Sequence, residues 1–302
     1  MRLLKAMGDE EANKVVSNVG WEQEFFVIDR DEYLARPDLM ATGRTLVGAQ
    51  PPRGQQTDYN YFNKINPRTR VFMREVQEKM WECGVALNVM HNEVAPSQHE
   101  FCPIFSLTNV SADQNTLSME MLEDVAAEHG LVVLMHEKPF AGINGSGKHS
   151  NWGLNTDSGR NLFVPGKTDL DQQIFIACTA ALARTLHVHG DVVRVGVATA
   201  GNDHRLGAQE APPAIISLYT GPGMEAHLAA VKTGGPLEGY TAESVVVESG
   251  SANVAGISGN AEDRNRTAPF PFCGNRFEYV EESLSKSHYS IQCVARNMYA
   301  EK

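Results

Sequence analysis

Two carboxylates and two imidazoles fall within eleven residues, Met90-His91-Asn92-Glu93-Val94-Ala95-Pro96-Ser97-Gln98-His99-Glu100. The apolar run Val85–Val89 precedes them and predicts a β-strand. Alternation along that strand predicts that one face carries Leu87, Val89, His91 and Glu93. Pro96 cannot donate to a strand ladder, so pairing should end there and Glu100 should turn back toward the same space. The alternative is a polar strand end in a solvated loop.

The segment Trp21–Ile28 is also predicted to be a strand, because it is rich in aromatic and β-branched residues. Glu22 and Glu24 are two residues apart in it and should point to the same face. Two acids on one strand face repel each other unless a cation or a base lies between them. The pair therefore belongs either to a cation site or to an exposed sheet edge.

The amino-acid composition limits which classes of binding partner are expected. The 302 residues include 26 Lys and Arg against 37 Asp and Glu, a net charge of −11. A surface for nucleic acid or for an anionic membrane should be basic, so neither partner is expected. The surplus of carboxylates suits hard cations, although an acidic soluble surface is its commoner cause. Five cysteines without a C-x-x-C pair, and no apolar run of membrane length, predict a cytoplasmic protein.

Hydrophobic periodicity predicts the remaining elements. Helices are expected over residues 1–18, 71–83, 111–130 and 168–190, the last with a Thr168/Asp171 capping pair. Strands are expected over 131–136 and 193–197, a long loop over 37–66 and an irregular insertion over about 220–259. Antiparallel-looking strands with helices between them indicate an α+β fold.

The loop Gly142–Lys148 nearly matches a phosphate-binding P-loop. His149 follows it, however, where that motif requires Ser or Thr to hold Mg²⁺. Residues 150–155 are strand-like or irregular, so no helix N-terminus would receive the phosphates. The sequence therefore argues against a P-loop.

Four stretches, in this order, resemble motifs of glutamine synthetase: Glu-Gln-Glu-Phe-Phe (22–26), His-Asn-Glu-Val-Ala-Pro-Ser-Gln-His-Glu (91–100), Asn-Gly-Ser-Gly-Lys-His (144–149) and Asn-Asp-His-Arg-Leu-Gly-Ala-Gln-Glu-Ala-Pro-Pro-Ala-Ile (202–215). The last of them, with Asp-Arg-Asn-Arg-Thr (263–267), is similar to the type III branch. The resemblance implies a catalytic domain over 1–282, built as a curved antiparallel sheet (half-barrel) with flanking helices. It also implies that the family's amino-terminal β-grasp domain is absent, and that 283–302 is a divergent or truncated tail.

By resemblance, six side chains would hold two divalent cations, Mg²⁺ or Mn²⁺, which suit oxygen ligands with one imidazole. The cation facing L-glutamate would be bound by Glu24, Glu93 and Glu100. The cation bridging the phosphates of ATP, a co-substrate, would be bound by Glu22, His149 and Glu278.

The same resemblance assigns the residues that contact substrates. L-Glutamate would be bound by Asn144, Gly145, Glu93 and Arg205. ATP would be bound by Asn151, Arg266 and Arg276. Glu210 is similar to a flap glutamate that shields the reaction intermediate and accepts a proton from ammonium, and Arg205 also resembles a phosphate-contacting arginine.

The implied reaction is ATP-dependent ligation of ammonia to L-glutamate through γ-glutamyl phosphate, in a homo-oligomeric ring. One position departs from the family: an arginine is expected two residues after Glu278, and the residue there is Val280. Two alternatives therefore stay open. One is a γ-glutamyl ligase that uses another amine. The other is a non-catalytic nucleotide-binding or oligomer-joining relative, or an inactive fragment.

Overall fold

An open sheet of seven strands forms the centre of the molecule. The computed structural model describes residues 1–198, 200–204, 216–242, 244–247, 257–260 and 268–282. Every pairing within the large sheet is antiparallel. Its strands are β1 (Val15–Asp29), β2 (Leu87–Asn92), β3 (Gln98–Pro103), β4 (Ser106–Leu107), β5 (Leu131–Leu134), β6 (Lys148–Thr156) and β11 (Phe277–Glu282). The path across it runs β11-β6-β1-β3-β2, and β4 and β5 also pair with β1.

Short strand pairs and helices complete the described part. The pairs are β7 (Leu218–Tyr219) with β10 (Phe270–Pro271), and β8 (Ser244–Val247) with β9 (Ile257–Asn260). The α-helices are α1 (Arg2–Ala6), α2 (Arg30–Leu34), α3 (Pro37–Thr42), α4 (Tyr59–Phe62), α5 (Pro67–Glu82), α6 (Thr108–Glu128), α7 (Asp169–Arg194) and α8 (Pro222–Lys232). Short 3-10 helices cover Gln56–Asp58, Val195–Val197 and Asn202–His204. The predicted α+β class is confirmed, and the sheet is not closed.

Helices cover one face of the sheet. Phe25 of β1 and Phe101 of β3 are fully buried, and their rings meet edge to face at a centroid distance of 5.2 Å. Met73 of α5 and Leu122 of α6 belong to the same apolar cluster. A second cluster joins α7 to β1, β6 and β11. Because side chains alternate along each strand, every second residue of these strands points to the other face.

The predicted helix over 1–18 is wrong beyond α1. Residues 15–18 belong to β1, where Val15 pairs with Thr156 of β6. Gly8 has a φ of +90°, which a helix cannot contain, and the β-branched Val15 and Val16 fit a pleated sheet. The apolar residues on either side of Gly8 therefore serve two different elements.

The predicted strand over 193–197 is also wrong, because α7 runs to Arg194 and continues as a 3-10 turn. Val193 and Val197 are buried, whereas Val195 is exposed. Two buried positions four apart fit helical spacing as well as they fit strand alternation. At the start of α7 the predicted cap is confirmed, since the Thr168 hydroxyl accepts the Asp171 N–H at 3.1 Å.

The two intervals expected to be irregular contain regular elements. α3 and α4 lie within 37–66, and α8 and β8 lie within 220–259. α8 follows Gly221 and has Pro222 in its first turn, where a missing N–H costs no helical hydrogen bond. Met224 is buried and Leu228, four residues on, packs against the same core, so one face of α8 is anchored.

Candidate active site

Cross-strand register brings the predicted acidic residues together. Glu24 of β1 is paired with Glu100 of β3. Glu22 of β1 is paired with His149 of β6. Glu278 lies on β11, which is the next strand beyond β6. Because β1 lies between β6 and β3, acids far apart in sequence become neighbours on the face opposite Phe25.

All six predicted cation ligands line one cavity of about 470 Å³. They are Glu22, Glu24, Glu93, Glu100, His149 and Glu278. The other lining residues are Asp58, Tyr61, Phe62, Val89, His91, Val94, Cys102 and Val280. Within the described part of the chain, no lysine or arginine lines this cavity. Among the described lining residues, imidazoles are therefore the only side chains that can carry a positive charge beside these carboxylates.

Glu24, Glu93 and Glu100 form the cluster expected to face glutamate. One carboxylate oxygen from each lies within 4.8 Å of the others, and all three residues are buried. The Gly147 N–H donates to Oε2 of Glu24 at 2.5 Å, which fixes that carboxylate against the loop before β6. Three buried carboxylates at this spacing match the hard oxygen ligands that Mg²⁺ and Mn²⁺ take.

His149 is the centre of the second cluster. Its Nδ1 lies 3.1 Å from Oε2 of Glu22 and 3.4 Å from Oε1 of Glu278. Burial acts to lower the pKa of His149, but the hydrogen bonds that its ring donates to the carboxylates of Glu22 and Glu278 outweigh burial and raise this pKa well above its usual range. Nε2 of His149 is buried and has no hydrogen-bond partner among the described residues. A buried imidazole between carboxylates, with an orphaned nitrogen, fits a cation site.

Two further side chains of the cavity received no role from the sequence. His91 of β2 is paired with Glu100, and its Nε2 lies 2.6 Å from Oε2 of that carboxylate. The hydrogen bond to Glu100 raises the pKa of His91 to about 9. Burial, aided by the nearby charge of Glu100, raises the pKa of the Cys102 thiol. Cys102 could have been found from its position two residues after Glu100, which places both on one face.

A neighbouring cavity of about 490 Å³ contains two of the residues expected to bind ATP, Asn151 and Arg276. The Arg276 Nε donates to Oδ1 of Asn151 at 2.7 Å, and the Asn151 Nδ2 donates to Oε1 of Glu22 at 2.9 Å. Glu22 and Cys102 line both cavities. An arginine is thus linked to the acidic cavity through one amide side chain.

Asn144 and Gly145, expected to bind glutamate, belong to the loop before β6. Gln55 holds Asn144 twice: the Asn144 N–H donates to Gln55 Oε1 at 2.6 Å, and the Gln55 Nε2 donates to Asn144 Oδ1 at 2.7 Å. The Gly145 carbonyl accepts from Nε2 of Gln98 at 2.8 Å. Neither Asn144 nor Gly145 is among the described residues that line the acidic cavity. Gln55 and Gln98 were not singled out in the sequence.

Three expected site residues, Arg205, Glu210 and Arg266, lie outside the described residues. The residue that departs from the family pattern, Val280, is described: it is buried and lines the acidic cavity. Residues 150–155 lie within β6 and not in a helix, which agrees with the rejection of a P-loop.

The prediction that Leu87 and Val89 share a face with His91 is wrong for Leu87. Leu87 is 1% exposed and belongs to the core with α5, whereas Val89 is 45% exposed and lines the cavity with His91. The register between β2 and β3 shifts between Leu87 and Val89. Such an irregularity exchanges the two faces of a strand, so the alternation holds only after it.

The fold and the cavity together define a domain of the α+β class with a candidate divalent-cation site on an open antiparallel sheet. Residues 2–212 match the family described as glutamine synthetase, catalytic domain. This chain belongs to the glutamine synthetase family.

Curated relatives are similar over most of the chain. A type-3 glutamine synthetase of Dictyostelium discoideum is 45% identical over 294 residues, which cover 97% of this chain and 40% of the relative. A glutamine synthetase of Butyrivibrio fibrisolvens is 42% identical over 278 residues, covering 92% of this chain and 39% of the relative. The chain thus spans about two fifths of the length of these relatives.

Solved structures show the same fold at low identity. An apo GmaS structure without ligand aligns with a TM-score of 0.61 at 20% identity, covering 98% of this chain and 56% of the other. A Plasmodium falciparum glutamine synthetase structure from cryo-electron microscopy aligns with a TM-score of 0.60 at 16% identity, covering 99% and 53%. Separately, no helix in the described parts of the chain is long and apolar enough to cross a membrane.

Proposed function

We propose that this chain forms the metal- and nucleotide-binding part of a glutamate–ammonia ligase, which joins ammonia to L-glutamate at the expense of ATP. The observation that supports the proposal is that six cation-ligand side chains, from four strands and the turn after β2, line one cavity. Membership of the glutamine synthetase family supports the same reaction.

The reaction requires a dense cluster of charged groups. A free carboxylate does not react with ammonia, so its oxygen must first become a leaving group, and phosphoryl transfer from ATP supplies one as γ-glutamyl phosphate. Ammonia then displaces phosphate, and a carboxylate accepts the surplus proton. Bound Mg²⁺ or Mn²⁺ would neutralise the negative charge on the transferred phosphoryl group. Water must be excluded, because it would hydrolyse the acyl phosphate.

The side chains divide between these tasks. The cation near glutamate would be held by Glu24, Glu93 and Glu100. The cation near the phosphates would be held by Glu22, His149 and Glu278. Arg276, with Asn151 and Arg266, would bind ATP, and Asn144, Gly145 and Arg205 would bind glutamate. Glu210 would accept the ammonium proton, and the complete site would form in a homo-oligomeric ring.

A second candidate is a non-catalytic relative that binds nucleotide or joins an oligomer. Val280 favours it, because an aliphatic side chain lines the cavity where family resemblance leads one to expect an arginine that contacts phosphate or substrate. Without that positive charge, binding of cation and nucleotide would remain while phosphoryl transfer would slow.

Phosphate release separates these candidates. The assay contains the full-length protein, glutamate, ATP and Mg²⁺, with either ammonia or another amine as acceptor. Release with ammonia supports the ligase. Release only with another amine identifies a different γ-glutamyl ligase, and no release with any acceptor, alongside measurable ATP binding, identifies the non-catalytic relative.

Glu24→Gln tests the cation site directly. Replacing a residue that only orients a metal ligand typically lowers metal affinity or activity by about 10–100-fold. Replacing a metal ligand itself, as Glu24→Gln does, should therefore lower metal affinity by at least about 100-fold. Mg²⁺ should also raise the melting temperature of the parent but not of this variant. Glu78→Gln is the matched control, because Glu78 is an exposed glutamate of α5 whose described ion pair is with Arg74. Equal Mg²⁺ responses of the two variants would exclude the proposed cation site.

A further inference from the structure

A thiol reaches the acidic cavity from the same strand face as Glu100. Gln98, Glu100 and Cys102 alternate onto one face of β3, and the Cys102 Sγ lies 3.4 Å from Oε2 of Glu100. His91 approaches the same oxygen from β2, with Nε2 at 2.6 Å. One nitrogen, one oxygen and one sulfur atom of the three residues all lie within 4.8 Å of one another.

The ring of His91 is oriented for this cluster by a separate contact. Its Nδ1 lies 2.8 Å from the carbonyl oxygen of Asn92. A carbonyl can only accept, so Nδ1 carries a hydrogen and Nε2 is the nitrogen turned toward Glu100. Histidines that bind metals are commonly held in this way, with one ring nitrogen donating to a backbone carbonyl and the other left for the ion.

We propose that His91, Glu100 and Cys102 form a site for a thiophilic divalent cation of the Zn²⁺ type. Zinc takes nitrogen, oxygen and sulfur ligands at about 2.0–2.3 Å and accepts three protein ligands with a fourth position open. Two ligands on either side of such an ion are about 4 Å apart, so atoms within 4.8 Å need only small side-chain rotations to reach it. Binding forms a metal–sulfur and a metal–nitrogen bond, and two protons pass to the solvent: that of the Cys102 thiol and the one that His91 Nε2 shares with Glu100.

The donor set separates this site from the Mg²⁺ ligands. Mg²⁺ takes hard oxygen ligands, whereas thiolate selects softer ions such as Zn²⁺. Cys102 and His91 both line the cavity, so an ion can enter from it. Among the groups of metal-binding side chains found in the described residues, this is the one that contains a cysteine.

Glu100 couples the thiophilic site to the rest of the cavity. It belongs also to the groups Glu24–Glu93–Glu100 and Glu22–Glu100–His149. An ion bound by Cys102 and His91 would also coordinate a Glu100 oxygen, which would then no longer be available to the other two groups. Zn²⁺ and Mg²⁺ should therefore compete for Glu100. Inhibition of the ligase by Zn²⁺ would follow. That consequence rests on the proposed function, whereas binding of the thiophilic ion does not.

Cobalt titration of the chelator-stripped full chain tests the site without reference to activity. Co²⁺ bound by a thiolate gives a charge-transfer band in the near ultraviolet. We expect this band in the parent and in Cys83→Ser, since Cys83 is exposed, and its loss in Cys102→Ala. Excess Mg²⁺ should weaken the apparent affinity for Co²⁺ at least 10-fold. Cooperative melting of Cys102→Ala establishes that the variant folds.

Two results would overturn the proposal: no thiolate band in the parent, or a band that persists in a folded Cys102→Ala variant. A second measurement addresses the coupling through Glu100. Zn²⁺ should inhibit phosphate release by the parent, and Cys102→Ala should need at least 10-fold more Zn²⁺ for the same inhibition. Unchanged Zn²⁺ sensitivity would contradict the coupling. A thiolate band in a protein without ligase activity would support the thiophilic site and refute the proposed function alone.

Discussion

His91 and His99 lie on paired strands, eight residues apart, yet they face opposite sides of the sheet. The hydrogen bond to Glu100 raises the pKa of His91 to about 9. Burial lowers the pKa of His99 to about 4, and its ring lies 6.0 Å from that of Phe25. The same residue type is thus favoured as a cation on one face and as a neutral ring on the other. The face that a strand residue occupies decides its chemistry.

The contrast extends to whole faces. One side of β1 and β3 carries Glu24 and Glu100, whose carboxylates oppose one another across the strands. The other side carries Phe25 and Phe101, which are fully buried beneath α5 and α6. Crowded carboxylates destabilise a metal-free fold, whereas buried aromatic rings stabilise it. The sheet therefore separates the carboxylates that we propose as cation ligands from the aromatic residues that stabilise the fold.

Adjacent substitutions on β1 test this separation most strongly. Phe25→Ala should lower the free energy of unfolding by about 3–5 kcal/mol, because it leaves a cavity in the core beneath the helices. Glu24→Gln should leave the metal-free protein at least as stable as the parent, since it removes one charge from the carboxylate cluster. Urea denaturation in the presence of a chelator measures both. Comparable losses in the two variants would show that the acidic face also stabilises the fold.

A smaller effect is expected from His99 at acid pH. The unfolded chain takes up a proton near pH 6.5, whereas folded His99 stays neutral down to about pH 4. Stability is therefore lost as the pH falls from 6.5 toward 4, by about 2 kcal/mol between pH 7.5 and 5.

His99→Leu should remove that part of the acid sensitivity. The free energy of unfolding is measured at pH 7.5 and at pH 5 with a chelator present. The loss of this free energy between the two pH values should be about 2 kcal/mol smaller in the variant than in the parent. Glu78→Gln, on the exposed face of α5, serves as a control that keeps the parent's pH dependence. An identical dependence in His99→Leu and parent would mean that folding does not lower the pKa of His99.

Strand alternation was enough to predict which acids share a face. Glu22 and Glu24 lie on one face of β1 because they are two residues apart, and the turn at Pro96 does return Glu100 beside them. The same rule, applied two residues further, would have found Cys102. The local sequence pattern does not, however, indicate which strands are neighbours in the sheet. That order rests on long-range packing, and the convergence of Glu278 with Glu22 was expected from family resemblance alone.

The mistaken predictions have one physical origin. Leu87 and Val193 both lie in short valine- and leucine-rich runs, whose spacing fits more than one structure. Leu87 turns inward because the strand register shifts beside it. Val193 remains helical because α7 buries it with Val197 at helical spacing. In both cases tertiary packing selects between structures that the local sequence allows equally.

The smallest expected effect concerns His91, and it has the opposite sign to that of His99. Because the folded pKa of about 9 exceeds the unfolded value near 6.5, protonated His91 stabilises the metal-free fold fully below pH 6.5. That stabilisation is lost as the pH rises through 9. The His91 side chain is 30% exposed, so solvent screening should keep the effect below about 1 kcal/mol. Melting of His91→Gln in chelator should therefore show a smaller decline between pH 6 and 9.5 than the parent. A steeper alkaline decline in the variant would contradict the prediction. It would mean that protonated His91 does not stabilise the fold through Glu100, and that the two faces do not shift the pKa values of His91 and His99 in opposite directions.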